Sequence, residues 1–131
     1  MMLLNGNELK VILEFALEPI LKEYSVCIKE AHISINDKIE IQTVVIYQDH
    51  TIDIKVSFLL DYCHGQVCFT DIEGKVEYLF LQLDIMKVLK QILNHENIRI
   101  NQNSCFYRCL LPIESIQIEN HYLNVKLRDS L

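Results

Sequence analysis

Two adjoining stretches of alternating apolar and polar residues dominate the middle of the chain, in residues 39–60. The second stretch has apolar side chains at every other position, namely Ile52, Ile54, Val56, Phe58 and Leu60. Successive side chains of a strand point to opposite faces, so this pattern predicts a strand with one buried face. The first stretch alternates in the same way, and Asp49 and His50 between the two are typical of a short turn. We therefore predict a central antiparallel β-hairpin around which the rest of the chain is organised.

The N-terminal segment has the period of an amphipathic helix. Its apolar residues recur three or four positions apart, at Leu9, Ile12, Leu13, Ala16, Leu17, Ile20 and Leu21. Asn5 and Glu8 have the spacing of a capping box, which predicts the start of the helix. Pro19 lacks a backbone donor, so we expect a kink there, or a stop followed by a short final turn. Val11 and Phe15 widen the apolar face, which predicts that the helix is covered on more than one side.

The segment between this helix and the hairpin, residues 25–35, changes its alternation part-way. Val26 and Ile28 share one parity, whereas the apolar residues from Ile33 onward share the other. One extra residue near Lys29 or Glu30 reconciles the two halves. The segment is therefore predicted to be a strand with a β-bulge.

The remainder of the chain alternates strand-like runs with turn residues. The pairs His64-Gly65 and Glu73-Gly74 predict turns on either side of a strand over residues 66–72. The alternation that follows predicts a further strand to about residue 83, and Leu79, Leu81 and Leu83 are equally compatible with an earlier start of the second helix. Asp84 is placed to cap a second helix near 84–94, and strands are predicted at 98–100, 105–111, 116–118 and 122–128. Runs of strands between isolated helices favour antiparallel pairing. Residues 1–131 are therefore predicted to form a single α+β domain, with a strongly twisted antiparallel sheet of about seven to nine strands and two helices.

Composition and charge narrow the classes of function. Half of the 131 residues are hydrophobic and 23% are charged, which is typical of a globular domain. The formal net charge of −6 disfavours nucleic-acid binding, which normally needs clustered lysines and arginines. No apolar run reaches the roughly 20 residues of a membrane span, and no signal-peptide pattern opens the chain. With five cysteines, an odd number, these features predict reduced thiols in a cytoplasmic protein.

Few residues suggest a chemical site. Cys63, His64 and Cys68, with Cys105 and Cys109 further along, invite a zinc interpretation, but their spacings are wider than those of structural zinc sites. Cys63 and His64 are neighbours in a strand-like segment and so point apart, which disfavours a cysteine nucleophile with a histidine base. No phosphate-binding loop and no metalloprotease or hydrolase motif is present in the sequence. We predict no metal, no cofactor and no catalytic residue, and hence a protein that is not an enzyme.

The central strands are apolar on parts of both faces. Val44 and Ile46 have the opposite parity to the main apolar face, and Leu59 lies between Phe58 and Leu60. Helices, a partner subunit or a ligand must bury such a second apolar face. Symmetric pairing is the commonest way to bury such a patch between subunits, so we predict a homodimer.

The order of the elements resembles that of a known family. The chain has an N-terminal helix, a meander of long strands, a strand leading into a helix at LQLDIMKVLKQIL, and a closing hairpin at LPIESIQIENHYLNVKL. In this order and pattern it resembles bacterial tubular lipid-binding (TULIP-like) domains. The resemblance implies a long curved sheet that wraps around a helix and leaves an apolar groove for a lipid.

Two hypotheses for the function result. In the first, the chain is a non-enzymatic structural or interaction domain that self-associates through an apolar sheet face. The alternative is a binding module that holds a hydrophobic ligand, such as a lipid or an acyl chain, between helix and curved sheet. The groove of the second hypothesis is expected to be lined by Ile12, Phe15, Ile54, Val56, Phe58 and Phe80.

Overall fold

The computed structural model describes residues 2–128, and this part of the chain is an α+β fold, as predicted. Its helices are α1 (Gly6–Glu23) and α2 (Ile85–Ile92). Its strands are β1 (Met2–Leu4), β2 (Val26–Ile35), β3 (Ile39–Tyr47), β4 (His50–Cys63), β5 (Gln66–Tyr78), β6 (Leu81–Asp84), β7 (Ile98–Asn101), β8 (Ser104–Arg108), β9 (Ile113–Glu119) and β10 (Tyr122–Leu127). Within residues 2–128, no helix has the length and apolarity that crossing a membrane requires.

The strands pair antiparallel in two sheets. The larger sheet has seven strands in the order β2-β3-β4-β5-β8-β7, with β6 also paired to β5, and it confirms the predicted antiparallel sheet. The smaller sheet has the order β1-β10-β9 and was not predicted. It depends on β1, where Met2 pairs with Val125. Three residues are too few to show a period, so this strand cannot be recognised from its own sequence.

The central hairpin is confirmed, with its turn one residue earlier than predicted. Gln48 and Asp49 have φ angles of 50° and 65°, whereas His50 already pairs with Tyr47 as the first residue of β4. Positive φ at both central residues is the geometry of the turn that matches the twist of a two-residue hairpin. Asp49 tolerates this conformation well, because its short polar side chain can hydrogen-bond locally.

The predicted bulge in β2 is also confirmed. Ile28 pairs with Val45, whereas Glu30 pairs with Val44, so Lys29 is the extra residue. Thr43 Oγ1 donates a hydrogen bond to the Glu30 carbonyl oxygen at 2.7 Å, which satisfies this acceptor beside the irregularity. The bulge restores one continuous apolar face from Val26 to Ile35, as the change of parity required.

The interpretation of Glu73-Gly74 as a turn is wrong. β5 runs without interruption from Gln66 to Tyr78, and Gly74 lies inside it, opposite Val56. A second bulge lies nearby, because the register shifts between the pairs of Ser57 and Leu59. Within that interval Asp71 has a φ of 50°. Gly74 therefore allows the backbones of β4 and β5 to approach closely, and it does not mark a reversal of the chain.

The predicted strand to residue 83 is likewise wrong, because the chain reverses at Leu79 and Phe80. Tyr78 pairs with Leu81 across this two-residue turn, and β6 then runs back along β5. The sequence YLFL contains no glycine, asparagine or aspartate, which are the residues that normally mark a hairpin turn. The apolar composition of this segment therefore gives no sign of the chain reversal in the sequence.

Both helix starts follow their capping residues. In α1, Asn5 Oδ1 accepts from the Glu8 amide at 2.9 Å and Glu8 Oε1 accepts from the Asn5 amide at 3.0 Å, which confirms the capping box. The helix continues past Pro19 to Glu23. In α2, Asp84 Oδ2 accepts from the Met86 amide at 3.0 Å, which confirms the predicted cap.

One hydrophobic core joins both sheets and both helices. Its buried members are Leu9, Ile33, Ile35, Ile39, Phe58, Leu60, Tyr62, Ile72, Val76, Ile85, Met86, Ile116, Leu123 and Val125. Leu9 from α1 and Ile85 from α2 belong to the same cluster, so both helices cover the same face of the larger sheet. On the other face, Ile46 and Leu59 remain exposed. The helices therefore do not cover the second apolar face.

Candidate interaction surface

The helix α1 is apolar on two sides, and the core accepts only one of them. At 100° per residue, Leu9, Leu13, Leu17 and Ile20 fall on the side that faces the sheet. Of the whole helix, only Leu9 is buried. Val11 and Phe15 lie on the opposite side and have 65% and 79% of their surface exposed, and Ile12, at the edge between the two sides, has 44% exposed. These three residues form the outer face of α1, which has no partner among residues 2–128.

Charged residues frame this outer face at both ends. Glu8 and Lys22 each lie seven residues from Phe15, which is two helical turns and the same side of the helix. Lys22 Nζ is 3.0 Å from Glu18 Oε1 in an exposed pair one turn apart. The face thus has an apolar centre, a carboxylate towards its N-terminal end and the Glu18–Lys22 ion pair at its C-terminal end.

A second exposed apolar feature is the β5–β6 turn. Phe80 is fully exposed at its tip, and its neighbours Leu79 and Leu81 are largely exposed. Leu79 has a φ of 57°, a left-handed conformation that is unfavourable for a residue with a bulky side chain. The hairpin tip therefore combines local backbone strain with an aromatic side chain in solvent.

The outer face of the larger sheet is mixed in character. Val44 and Ile46, predicted to belong to one apolar patch with Leu59, are separated from it along β4 by Lys55 and Ser57. The predicted patch is therefore not continuous. A shallow trough of about 1340 Å³ lies over this face, and its lining comes entirely from β2–β6.

The trough has the character of a solvated polar surface. Its lining includes six carboxylates, those of Glu30, Glu40, Asp53, Glu73, Glu77 and Asp84. Two lysines, Lys55 and Lys75, face each other across β4 and β5. The excess of carboxylates disfavours an anionic ligand, and the many charged side chains suit contact with water on this side of the sheet.

The structure separates the residues that were expected to line a groove. Phe58 is buried in the core, where its ring meets that of Phe69 edge to face at 5.3 Å between centroids. Ile54 and Val56 are half-buried on the core side of β4. Ile12 and Phe15 lie on the outer face of α1, and Phe80 lies at the hairpin tip.

Two thiols lie close together at the far end of β4 and β5. The Sγ atoms of Cys63 and Cys68 are 3.6 Å apart. Cys63 is exposed and Cys68 is buried. Burial, followed by the neighbouring Cys63, raises the pKa of Cys68 to about 11. Among residues 2–128 no three histidine, cysteine or acidic side chains are placed to hold a metal ion.

The contact between Cys63 and Cys68 is not among the features predicted from the sequence. The signal was present, because the turn at His64-Gly65 was predicted and places Cys63 opposite Gln66. Two residues further along β5, Cys68 then has the same parity as Cys63. Side chains on one face at diagonal positions of two neighbouring strands are within reach of each other.

No family model matches the chain, and neither the search of curated proteins nor the search of solved structures gives a significant match. The resemblance to tubular lipid-binding domains stays a prediction.

Proposed function

We propose that this domain is a non-enzymatic interaction module that self-associates through the outer face of α1. The observation that supports the proposal is the exposure of Phe15, with 79% of its surface in solvent at the centre of an apolar helix face. Large apolar residues that cluster on a surface mark sites of protein association. The interface differs from the predicted one, which relied on Val44, Ile46 and Leu59 on the sheet.

A two-fold symmetric pairing of two α1 helices suits the distribution of charge. If the axis passes at Phe15 and the helices run antiparallel, the two Phe15 rings meet at the centre. Glu8 of one copy then lies opposite the Glu18–Lys22 pair of the second copy, because Glu8 and Lys22 are both seven residues from Phe15. The same pairing occurs twice, as a symmetric interface requires. Such rim pairs contribute orientation more than affinity.

The apolar side chains of the outer face set the scale of the affinity. Val11, Ile12 and Phe15 from two copies contribute six partly exposed side chains. Completing their burial contributes on the order of 5–10 kcal/mol, at about 1.5–3 kcal/mol for a fully exposed side chain. Association itself costs roughly 4–15 kcal/mol. We therefore expect a weak, concentration-dependent dimer and not a permanent one.

The substitution Phe15→Arg tests this interface by sedimentation equilibrium from about 10 µM to about 500 µM. For the wild type we expect a mass that rises above 15.4 kDa with concentration. For Phe15→Arg we expect the monomer mass throughout, because a charge at the symmetry axis meets its own copy. The fold should be retained, since this side chain is mostly in solvent.

Phe80→Arg is the matched control for that experiment. Phe80 is even more exposed than Phe15 but lies on the β5–β6 turn. We expect this variant to associate as the wild type does. A wild-type mass that stays at 15.4 kDa over the whole range contradicts self-association. Loss of association in Phe80→Arg alone moves the interface to the hairpin tip.

A second candidate function is the binding of an apolar ligand, and one observation favours it. On the core side of β3 and β4, Ile41, Ile52, Ile54 and Val56 are only half-buried. A helix that is packed to native density over this region would bury these side chains more completely. We propose that the space beside them can admit an acyl chain, at about 0.8 kcal/mol for each methylene buried.

The variant Ile54→Phe distinguishes an open space from a packed one. If the space is open, the larger side chain fills it, the melting temperature is unchanged and the uptake of a fluorescent fatty acid falls. If the region is already packed, the same change destabilises the domain by about 1–3 kcal/mol. Native mass spectrometry of the gently purified wild type gives the second measurement. Protein without lipid that also takes up no fatty acid contradicts this candidate function.

A further inference from the structure

Cys63 and Cys68 lie on the outer face of the larger sheet, at the end where β4 turns into β5. Cys63 pairs with Gln66 and Cys68 pairs with Asp61, so the two cysteines occupy diagonal positions on one face. The turn between them has positive φ angles, 54° at His64 and 74° at Gly65. Their Sγ atoms, 3.6 Å apart, make the only contact between two thiols among residues 2–128.

The two thiols differ in access to solvent. Cys63 is exposed, whereas Cys68 has 5% of its surface exposed. A reagent in solution therefore reaches Cys63 first, and Cys68 is reached only by the sulfur that already lies beside it. These exposures suit Cys63 as the attacking cysteine and Cys68 as the resolving cysteine.

We propose that Cys63 and Cys68 form a modification site that a low-molecular-weight disulfide, RSSR, oxidises to an intramolecular disulfide. In the first step the Cys63 thiolate attacks one sulfur of RSSR. A Cys63–SR bond forms, the S–S bond of RSSR breaks, and the released RS⁻ takes up a proton.

In the second step Cys68 loses its proton to solvent and attacks the sulfur of Cys63. The Cys63–Cys68 bond forms, the Cys63–SR bond breaks, and the second thiolate leaves and is protonated to RSH. Two protein thiols have then been oxidised to one disulfide by two electrons, and RSSR has been reduced to two RSH. For the second step the two Sγ atoms must approach from 3.6 Å to about 2.05 Å, the length of a disulfide bond.

The surroundings of Cys68 control the rate of the second step. Cys63 and Asp61 face it from β4, and β8 contributes Phe106, which pairs with Cys68 and carries Arg99 at 4.8 Å over its ring. Burial and the neighbouring Cys63 raise the pKa of the Cys68 thiol to about 11. The burial remains when Cys63 carries SR, so the pKa of Cys68 stays raised in the adduct. Because only the thiolate attacks, the intramolecular closure accelerates as the pH rises.

The test uses glutathione disulfide as RSSR with the full chain, in the absence of oxygen and metal. Peptide mapping by mass spectrometry follows each cysteine over time. In the wild type we expect a glutathionyl adduct at Cys63 that converts to a Cys63–Cys68 disulfide with the loss of the glutathionyl group. Between about pH 8 and about pH 10 the conversion should accelerate by more than the roughly fourfold that a thiol with the ordinary pKa of about 8.5 gives.

Cys27 provides the control within the same molecule. It is exposed like Cys63 but lies on β2. We expect its glutathionyl adduct to persist without closing. In Cys68→Ala the adduct at Cys63 should persist in the same way, and in Cys63→Ser no adduct should form at Cys68.

The proposal is overturned by a Cys63 adduct in the wild type that persists at every pH, as that of Cys27 does. It is also overturned if Cys68 reacts in Cys63→Ser at the wild-type rate. Both outcomes are read from wild-type peptides or from a variant at an exposed position, so neither depends on the folding of Cys68→Ala.

Discussion

Replacement of Ile39 by aspartate is expected to unfold the domain. Ile39 has no exposed surface and lies at the start of β3, paired with Ile35 on one side and Phe58 on the other. A carboxylate at this position loses its hydration, and the buried neighbours of Ile39 in the core are apolar. Destabilisation above about 4–5 kcal/mol is characteristic of such a change and is comparable with the total stability of a small domain.

Glu40→Gln is the matched control for Ile39→Asp. Glu40 is the next residue of β3 and points to the outer face of the larger sheet, where it is exposed. Its replacement should change the free energy of unfolding by less than about 0.5 kcal/mol. Urea denaturation followed by circular dichroism measures both variants. A folded Ile39→Asp protein with wild-type stability contradicts the assignment of faces to β3.

Replacement of Gly74 by alanine is the second change with a large expected effect. A Cβ atom at Gly74 overlaps the Lys55 carbonyl oxygen and lies 2.8 Å from Val56 Cα. Both obstacles are backbone atoms of β4, so the methyl group can be accommodated only if the two central strands separate. Since β4 and β5 carry much of the core, we expect the free energy of unfolding to fall by about 3 kcal/mol. The midpoint of a thermal or urea melt gives the measurement.

Gly65→Ala separates this steric effect from the general effect of removing a glycine. Gly65 has a φ of 74° in the β4–β5 turn, and a Cβ atom there makes only an ordinary contact with Leu110. We expect the free energy of unfolding to fall by about 1 kcal/mol, the cost of holding an alanine at positive φ. If the two variants are equally stable, the close approach at Gly74 does not constrain the sheet.

The candidate interface was only partly predictable. The helical period places Phe15 and Val11 outside the main apolar stripe of α1, so the sequence alone predicts a second apolar side of this helix. Whether other elements cover this second side depends on where the sheets lie, and in the structure the outer face of α1 remains exposed. The same reason explains Phe80, whose alternation with Tyr78 predicted a strand although it lies at a turn.

The sequence by itself determined the elements that depend on neighbours in the chain. The alternation in β4, the capping box at Asn5, the cap at Asp84 and the bulge at Lys29 are all predictable from the sequence, because each is fixed within a few residues. Only the tertiary structure decided that Gly74 lies inside a strand, that β1 joins β10, and that Cys63 reaches Cys68. These features depend on the register between strands and on backbone approach, which are set by contacts among distant residues and not by local period.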